Sequence, residues 1–184
     1  GTARIWNTDT GEPVTGRLIH EEPDGQLNTM RTPHGAFSPD GNLVATVRLT
    51  TARVFDVATG EPVTGLLLHD LADLRSVAFS PDGPFVVTGG TRGSVTIWDV
   101  KRESRATPIL PHVGRIRGVT FSPKHGRKVL VNTNGTSVAW DLALASHGRR
   151  LADWPPGNPN YVAYSPDGTK VLQHNTYGGI VRVF

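Results

Sequence analysis

Histidines, carboxylates and a recurring serine are the residues of this chain with the means to do chemistry, so their spacing is read first. His20-Glu21-Glu22 has the ligand types of a metal site, and a serine beside a histidine would begin a nucleophile–base pair. Neither start develops. The chain has no Gly-x-Ser-x-Gly turn, no His-Glu-x-x-His, no P-loop and no dinucleotide fingerprint. His34, His125, His147 and His174 are scattered without ligand spacing, whereas His20, His69 and His112 recur at equivalent places and read as framework. Ser38, Ser80, Ser122 and Ser165 each precede a proline turn and have no base in register. Cysteine is absent, which excludes disulfides, thiolate metal sites and thiol nucleophiles. The expectation is a non-catalytic chain with no metal and no cofactor.

Charge carries a sharper signal. Residues 1–100 hold seven Lys/Arg against twelve Asp/Glu, while residues 101–150 hold ten (Arg115, Arg117, Lys124, Arg127 and Lys128 among them) against two. The net charge of +3 is therefore a balance of +8 in this stretch against −5 in the residues before it. A solvated, charged edge accounts for such a run. An acidic partner or nucleic acid is the functional alternative, in which arginines neutralise phosphates, although no interleaved aromatics are present to stack bases.

The elements that must position these residues come from an internal repeat. Ser-Pro landmarks at 38, 80, 122 and 165 lie 42, 42 and 43 residues apart. An independent aromatic series, Trp6, Phe55, Trp98, Trp140 and Phe184, has intervals of 49, 43, 42 and 44. Within a unit, Leu74 to Phe79 reads as an alternating strand running into a Pro-Asp-Gly turn. Phe85 to Thr88 and Ser94 to Trp98 are two more strands, and a weaker outer strand is expected around Thr107 to Leu110. The chain of 184 residues, with 21 Gly and 14 Pro, suits many short strands and turns. It shows no long apolar run to span a membrane and no basic–apolar leader, and the compartment is left open.

Phe79-Ser80-Pro81-Asp82-Gly83 followed by Val95-Thr96-Ile97-Trp98-Asp99 resembles a WD repeat, and Trp140-Asp141 and Phe55-Asp56 are equivalent dipeptides. The Thr-Gly-Glu-Pro-Val phrases at 10–14 and 59–63 are similar to those of long bacterial WD-repeat arrays. The resemblance implies an all-β fold of four-stranded antiparallel propeller blades, here a four-blade-equivalent segment of a larger propeller. It also implies structural roles for His20, His69, His112, Trp98, Trp140, Asp99 and Asp141. In the family an Asp six residues before the Trp often completes a Ser/Thr–His–Asp–Trp network. Arg92 and Asn134 stand there in this sequence, and Leu49 and Gly178 before the two phenylalanines. Blade stability is therefore expected to rest on apolar burial between sheets.

The expected units are 1–19 (third and fourth strands of a blade), blades at 20–68, 69–111 and 112–153, and first to third strands at 154–184. Further blades or a second chain are expected to close the ring. Trp6 to Ser38 is 32 residues against 25, 24 and 25 for the later intervals, which marks an insertion containing Glu21, Glu22, Asp24 and Arg31. The resemblance implies a platform for protein–protein recognition through the loops of one face. Arg75, Arg117 and Asn160, at equivalent positions near the starts of first strands, are the residues expected to contact a partner, together with that insertion. Polyanion binding through residues 101–150 is one alternative, and a sensor array fused to a separate catalytic domain is another. No membrane partner is implied.

Overall fold

The computed structural model describes residues 2–20, 34–69, 73–112, 114–124, 126–134, 136–142, 159–175 and 181–183. The strands form five antiparallel sheets in chain order. The first pairs β1 (Thr2–Ala3) with β2 (Leu18–Ile19). The second runs β3 (His34–Phe37), β4 (Leu43–Arg48), β5 (Thr51–Asp56) and β6 (Leu67–Leu68). The third has β7 (Leu74–Phe79), β8 (Phe85–Gly90) and β9 (Ser94–Asp99), with two short strands, β10 (Ser104–Arg105) and β11 (Leu110–Pro111), both paired to β9. The fourth holds β12 (Ile116–Phe121), β13 (Lys128–Thr133) and β14 (Ser137–Asp141). The fifth holds β15 (Pro159–Tyr164), β16 (Val171–Asn175) and β17 (Val181–Val183). The sheets stack face to face, with the innermost strands in sequence: β3 lies beside β7, β7 beside β12, and β12 beside β15.

Packing explains the apolar runs. Successive residues of a strand point to opposite faces of its sheet. Val86 of β8 joins a core with Val47, Val54 and Leu67 of the preceding sheet, while its neighbour Val87 joins Ile116, Val119 and Val131 of the following one. Both valines are fully buried. The third-strand aromatics all face backwards: Phe55 packs on Ile5 and Leu18, Trp98 on the second sheet, Trp140 on the third. Their period in the sequence is the period of the inter-sheet cores.

The turns repeat as faithfully. At Ser38-Pro39-Asp40-Gly41, the Leu43 N–H donates to Ser38 Oγ at 2.8 Å, and Gly41 takes φ = 74°, a left-handed value that glycine adopts without strain. Phe85 and Lys170 donate to Ser80 Oγ and Ser165 Oγ in the same way. The Asp40 carboxylate accepts from the Ser38 hydroxyl and from Asn42, which holds its pKa below the ordinary value. The Asp after the aromatic caps the next turn. Asp56 Oδ1 accepts from Ala58 and Thr59 N–H, and Asp99 Oδ1 accepts from Arg102 N–H.

Two sequence readings change. The outer strand of the third sheet is broken, since β10 and β11 flank Pro108, which has no N–H for a ladder bond. The alternation assigned to Leu74 through Phe79 also slips by one residue. Leu74 pairs with Gly90 but Ser76 with Gly89, so Arg75 is a β-bulge, and the buried positions run Leu74, Val77, Phe79.

Hydroxyls and carbonyls stand in for the missing carboxylate network. Thr51 Oγ1 donates to the Arg48 carbonyl at 3.0 Å and so accepts from His20 Nε2–H at 2.6 Å, which leaves Nδ1 to accept from Thr46 at 3.1 Å. In the fourth sheet the tautomer is the opposite one. His112 donates Nδ1–H to the Leu110 carbonyl at 3.0 Å, and its Nε2 accepts from Trp140 Nε1 at 2.6 Å. In the third, Trp98 Nε1 donates to Thr88 at 2.9 Å, and His69 is buried. At the β8 position equivalent to Thr88, β13 has Val131, which cannot accept a bond, so Trp140 reaches the imidazole directly.

The close approach of the third and fourth sheets makes one glycine indispensable. A Cβ on Gly89 would come within 2.6 Å of Ile116 Cγ2 and 2.8 Å of Val119 Cγ1. Gly89→Ala is expected to cost about 1–3 kcal/mol by overpacking. Gly118→Ala, which meets nothing within 4 Å, should change stability by no more than about 0.5 kcal/mol. Urea unfolding of the two variants measures the contrast.

A pH effect follows from His20. Burial, then the charges of Arg53 and Arg48, lower its pKa from 6.5 to about 4. Since the folded value lies below the unfolded one, the unfolded chain takes up the proton first. The contribution is therefore intact above about pH 6.5 and is lost toward pH 4 at up to ~1.4 kcal/mol per pH unit. Unfolding free energies measured across that window should show a flatter slope for His20→Gln than for the parent chain.

Candidate functional site

The bulge at Arg75 is not isolated. Ile116 pairs with Thr133 and Gly118 with Asn132, which leaves Arg117 as the extra residue. Pro159 pairs with Asn175 and Tyr161 with His174, which leaves Asn160. Three successive sheets thus carry one out-of-register residue at the same place, near the start of the innermost strand. A bulge bends its strand and re-aims the side chain it carries.

The result is convergence. A cavity of about 310 Å³ is lined by His34, Arg75, Arg115, Ile116 and Arg117. His34 is the first residue of β3, Arg75 the second of β7, and Arg117 the second of β12, with Arg115 just ahead of it. Ile116 is fully buried and anchors this corner in the core between the third and fourth sheets. A Val119 N–H bond to Ser76 Oγ, 3.0 Å, ties β12 to β7 behind the cavity.

The site is strongly cationic. Arg117 Nε donates to Asn134 Oδ1 at 2.7 Å, so the residue standing where the family often has its Asp orients an arginine instead. Arg75 Nε is buried without a hydrogen-bond partner among the described residues. Among the described residues Arg102 pairs with Asp99, and no carboxylate pairs with Arg75, Arg115 or Arg117. Partial burial and then the Arg75 charge lower the His34 pKa from its ordinary 6.5. What this arrangement can do chemically is hold an oxyanion, because guanidinium N–H groups match its geometry.

Of the residues singled out in the sequence, Arg75 and Arg117 share this cavity. The Asn160 backbone occupies the equivalent bulge, and its side chain lies outside the described residues. Glu21, Glu22, Asp24 and Arg31 also lie outside them. His20, His69, Trp98 and Asp99 are buried, while His112, Trp140 and Asp141 are half-buried. His34 was missed, because its repeat equivalents, Ser76 and Gly118, gave no reason to single it out. The bulge did leave a trace: Leu-x-x-Val-x-Phe at 74–79 and Ile-x-x-Val-x-Phe at 116–121 share a three-then-two spacing that plain alternation does not produce. Among the described residues no group of three His, Cys, Asp or Glu is placed to hold a metal, and no helix is long and apolar enough to cross a membrane.

Comparison with known proteins agrees with this geometry. Residues 60–99 match the family model "WD domain, G-beta repeat". No curated protein matches the chain by sequence. Among solved structures, the chain superimposes on hydrazine synthase of Kuenenia stuttgartiensis with a TM-score of 0.69 at 22% identity, covering 86% of this chain and 48% of that one. It superimposes on the β-propeller domain of Cps50 (Swd1) from Myceliophteria thermophila with a TM-score of 0.70 at 15% identity, covering 86% and 54%. The chain therefore spans about half the length of these structures. With one unit carrying the WD signature, the flanking sheets repeating its strands and the two following sheets its bulge, the chain has the fold of the WD-repeat β-propellers.

Proposed function

We propose that this chain is a rigid platform for protein–protein recognition, and that it meets its partner at the end of the sheets where the innermost strands begin. The observation that carries this reading is the bulge repeated at Arg75, Arg117 and Asn160. A structural framework needs no such device. Each bulge leaves the inter-sheet core intact while turning one side chain per blade out of the alternation.

The mechanism is geometric. Loops and strand ends held on stacked sheets lose little conformational freedom on binding, so recognition costs little ordering entropy. The insertion with Glu21, Glu22, Asp24 and Arg31 precedes β3 directly and is assigned to the same recognition surface. The family match at residues 60–99 supports an interaction scaffold in general.

The test is a capture experiment with the immobilised chain and its Arg75→Ala/Arg117→Ala/Asn160→Ala variant, near-ultraviolet circular dichroism confirming that both are folded. The variant is expected to lose the proteins that the parent retains. Equal retention by both would remove this face from the mechanism.

A further inference from the structure

We infer that the cavity between the second, third and fourth sheets is a receptor for a single phosphate monoester, carried by the protein segment that this face binds and held by Arg75, Arg115 and Arg117 with His34 at the rim. The inference rests on the recognition face proposed above and names the chemistry it reads.

Three features point to this ligand. The first is concentrated positive charge. Three guanidinium groups line a cavity of about 310 Å³ with no carboxylate paired to any of them among the described residues. A surface selected only for solubility intersperses both signs. Here the cations are drawn together from two sheets by separate bulges.

The second is an unsatisfied donor. Buried polar groups in folded proteins are nearly always hydrogen-bonded, and one that is not calls for an explanation. Arg75 Nε is buried at this cavity without a partner, and Arg117 spends one of its five donors on Asn134, which leaves the rest available. An oxyanion with three acceptor oxygens could engage N–H groups of both guanidinium ions that line the cavity.

The third is size and valence. A phosphate monoester carries about −1.5 to −2 charges near pH 7, a closer match to three guanidinium groups than a lone carboxylate. A nucleic-acid backbone would need a continuous basic track. Lys124 and Lys128 instead flank the turn at the far end of β12 and β13, with Gly118, Val119 and Thr120 between them and the cavity. One phosphate fits the observed geometry better than a strand of them.

Calorimetric titration of the full chain with inorganic phosphate, at constant ionic strength and pH 7, tests the site. The same titration is repeated with a phosphoserine peptide, its unphosphorylated form and a short DNA duplex. Inorganic phosphate and the phosphopeptide are expected to bind saturably, and each of Arg75→Gln, Arg115→Gln and Arg117→Gln should weaken them at least tenfold. Lys101→Gln and Lys124→Gln, at exposed lysines away from the cavity, should stay within twofold of the parent. Matching thermal unfolding midpoints confirm that the exposed-site variants Arg115→Gln and Arg117→Gln are folded, which keeps the test sound should Arg75→Gln misfold. No saturable phosphate binding, an equal loss in the lysine variants, or tighter binding of DNA than of the phosphopeptide would each overturn the inference. If phosphate fails to bind while the triple variant still loses partner capture, the phosphate reading falls and the recognition face stands. The reverse pattern, phosphate bound and capture unchanged, overturns the inference as stated, since the phosphate would not be read on a partner at this face.

Discussion

Val86 and Val87 are adjacent in one strand yet belong to different cores, and the rest of the molecule depends on that arrangement. A sheet with both faces apolar is stable only when covered on both sides, so each unit of some forty residues is completed by its neighbours. The same logic sets the Phe55, Trp98 and Trp140 series, since each aromatic fills the gap behind its own sheet. It also explains Gly89, where the side chains of β12 come so close that no methyl group fits.

Polar ties adapt to whatever residues each blade supplies. His20 is held through Nε2–H by Thr51, whereas His112 uses the other tautomer because Trp140 comes straight to its Nε2. In both imidazoles the two nitrogens are occupied, by two different sets of partners. Asn134 goes further. Standing where a blade-stabilising carboxylate is common, it orients Arg117 at the rim instead.

Most of the framework was readable from the residues. Strand order, turn chemistry and the backward-facing aromatics follow from periodicity and from the Ser-Pro-Asp-Gly turn, because these depend on local geometry that recurs from unit to unit, the turn at Ser122-Pro123-Lys124 excepted. Arg75 and Arg117 were found by aligning repeats, but their convergence was not, because it arises from bulges that a strictly alternating reading smooths over. The split outer strand around Pro108 escaped for a related reason: two residues at a time pair with β9, too few to leave a pattern. His34 enters the cavity from the neighbouring sheet, a relation between units that no single unit records.

The recurring bulge separates two kinds of inheritance along one strand. Leu74, Val77 and Phe79 answer to the adjoining sheet, while position 75 lies outside that core. The occupants of that position in consecutive sheets, Arg75, Arg117 and Asn160, already differ without any change of architecture. Such a chain can revise its specificity blade by blade, by exchanging single rim residues, while the stack that holds them is left undisturbed.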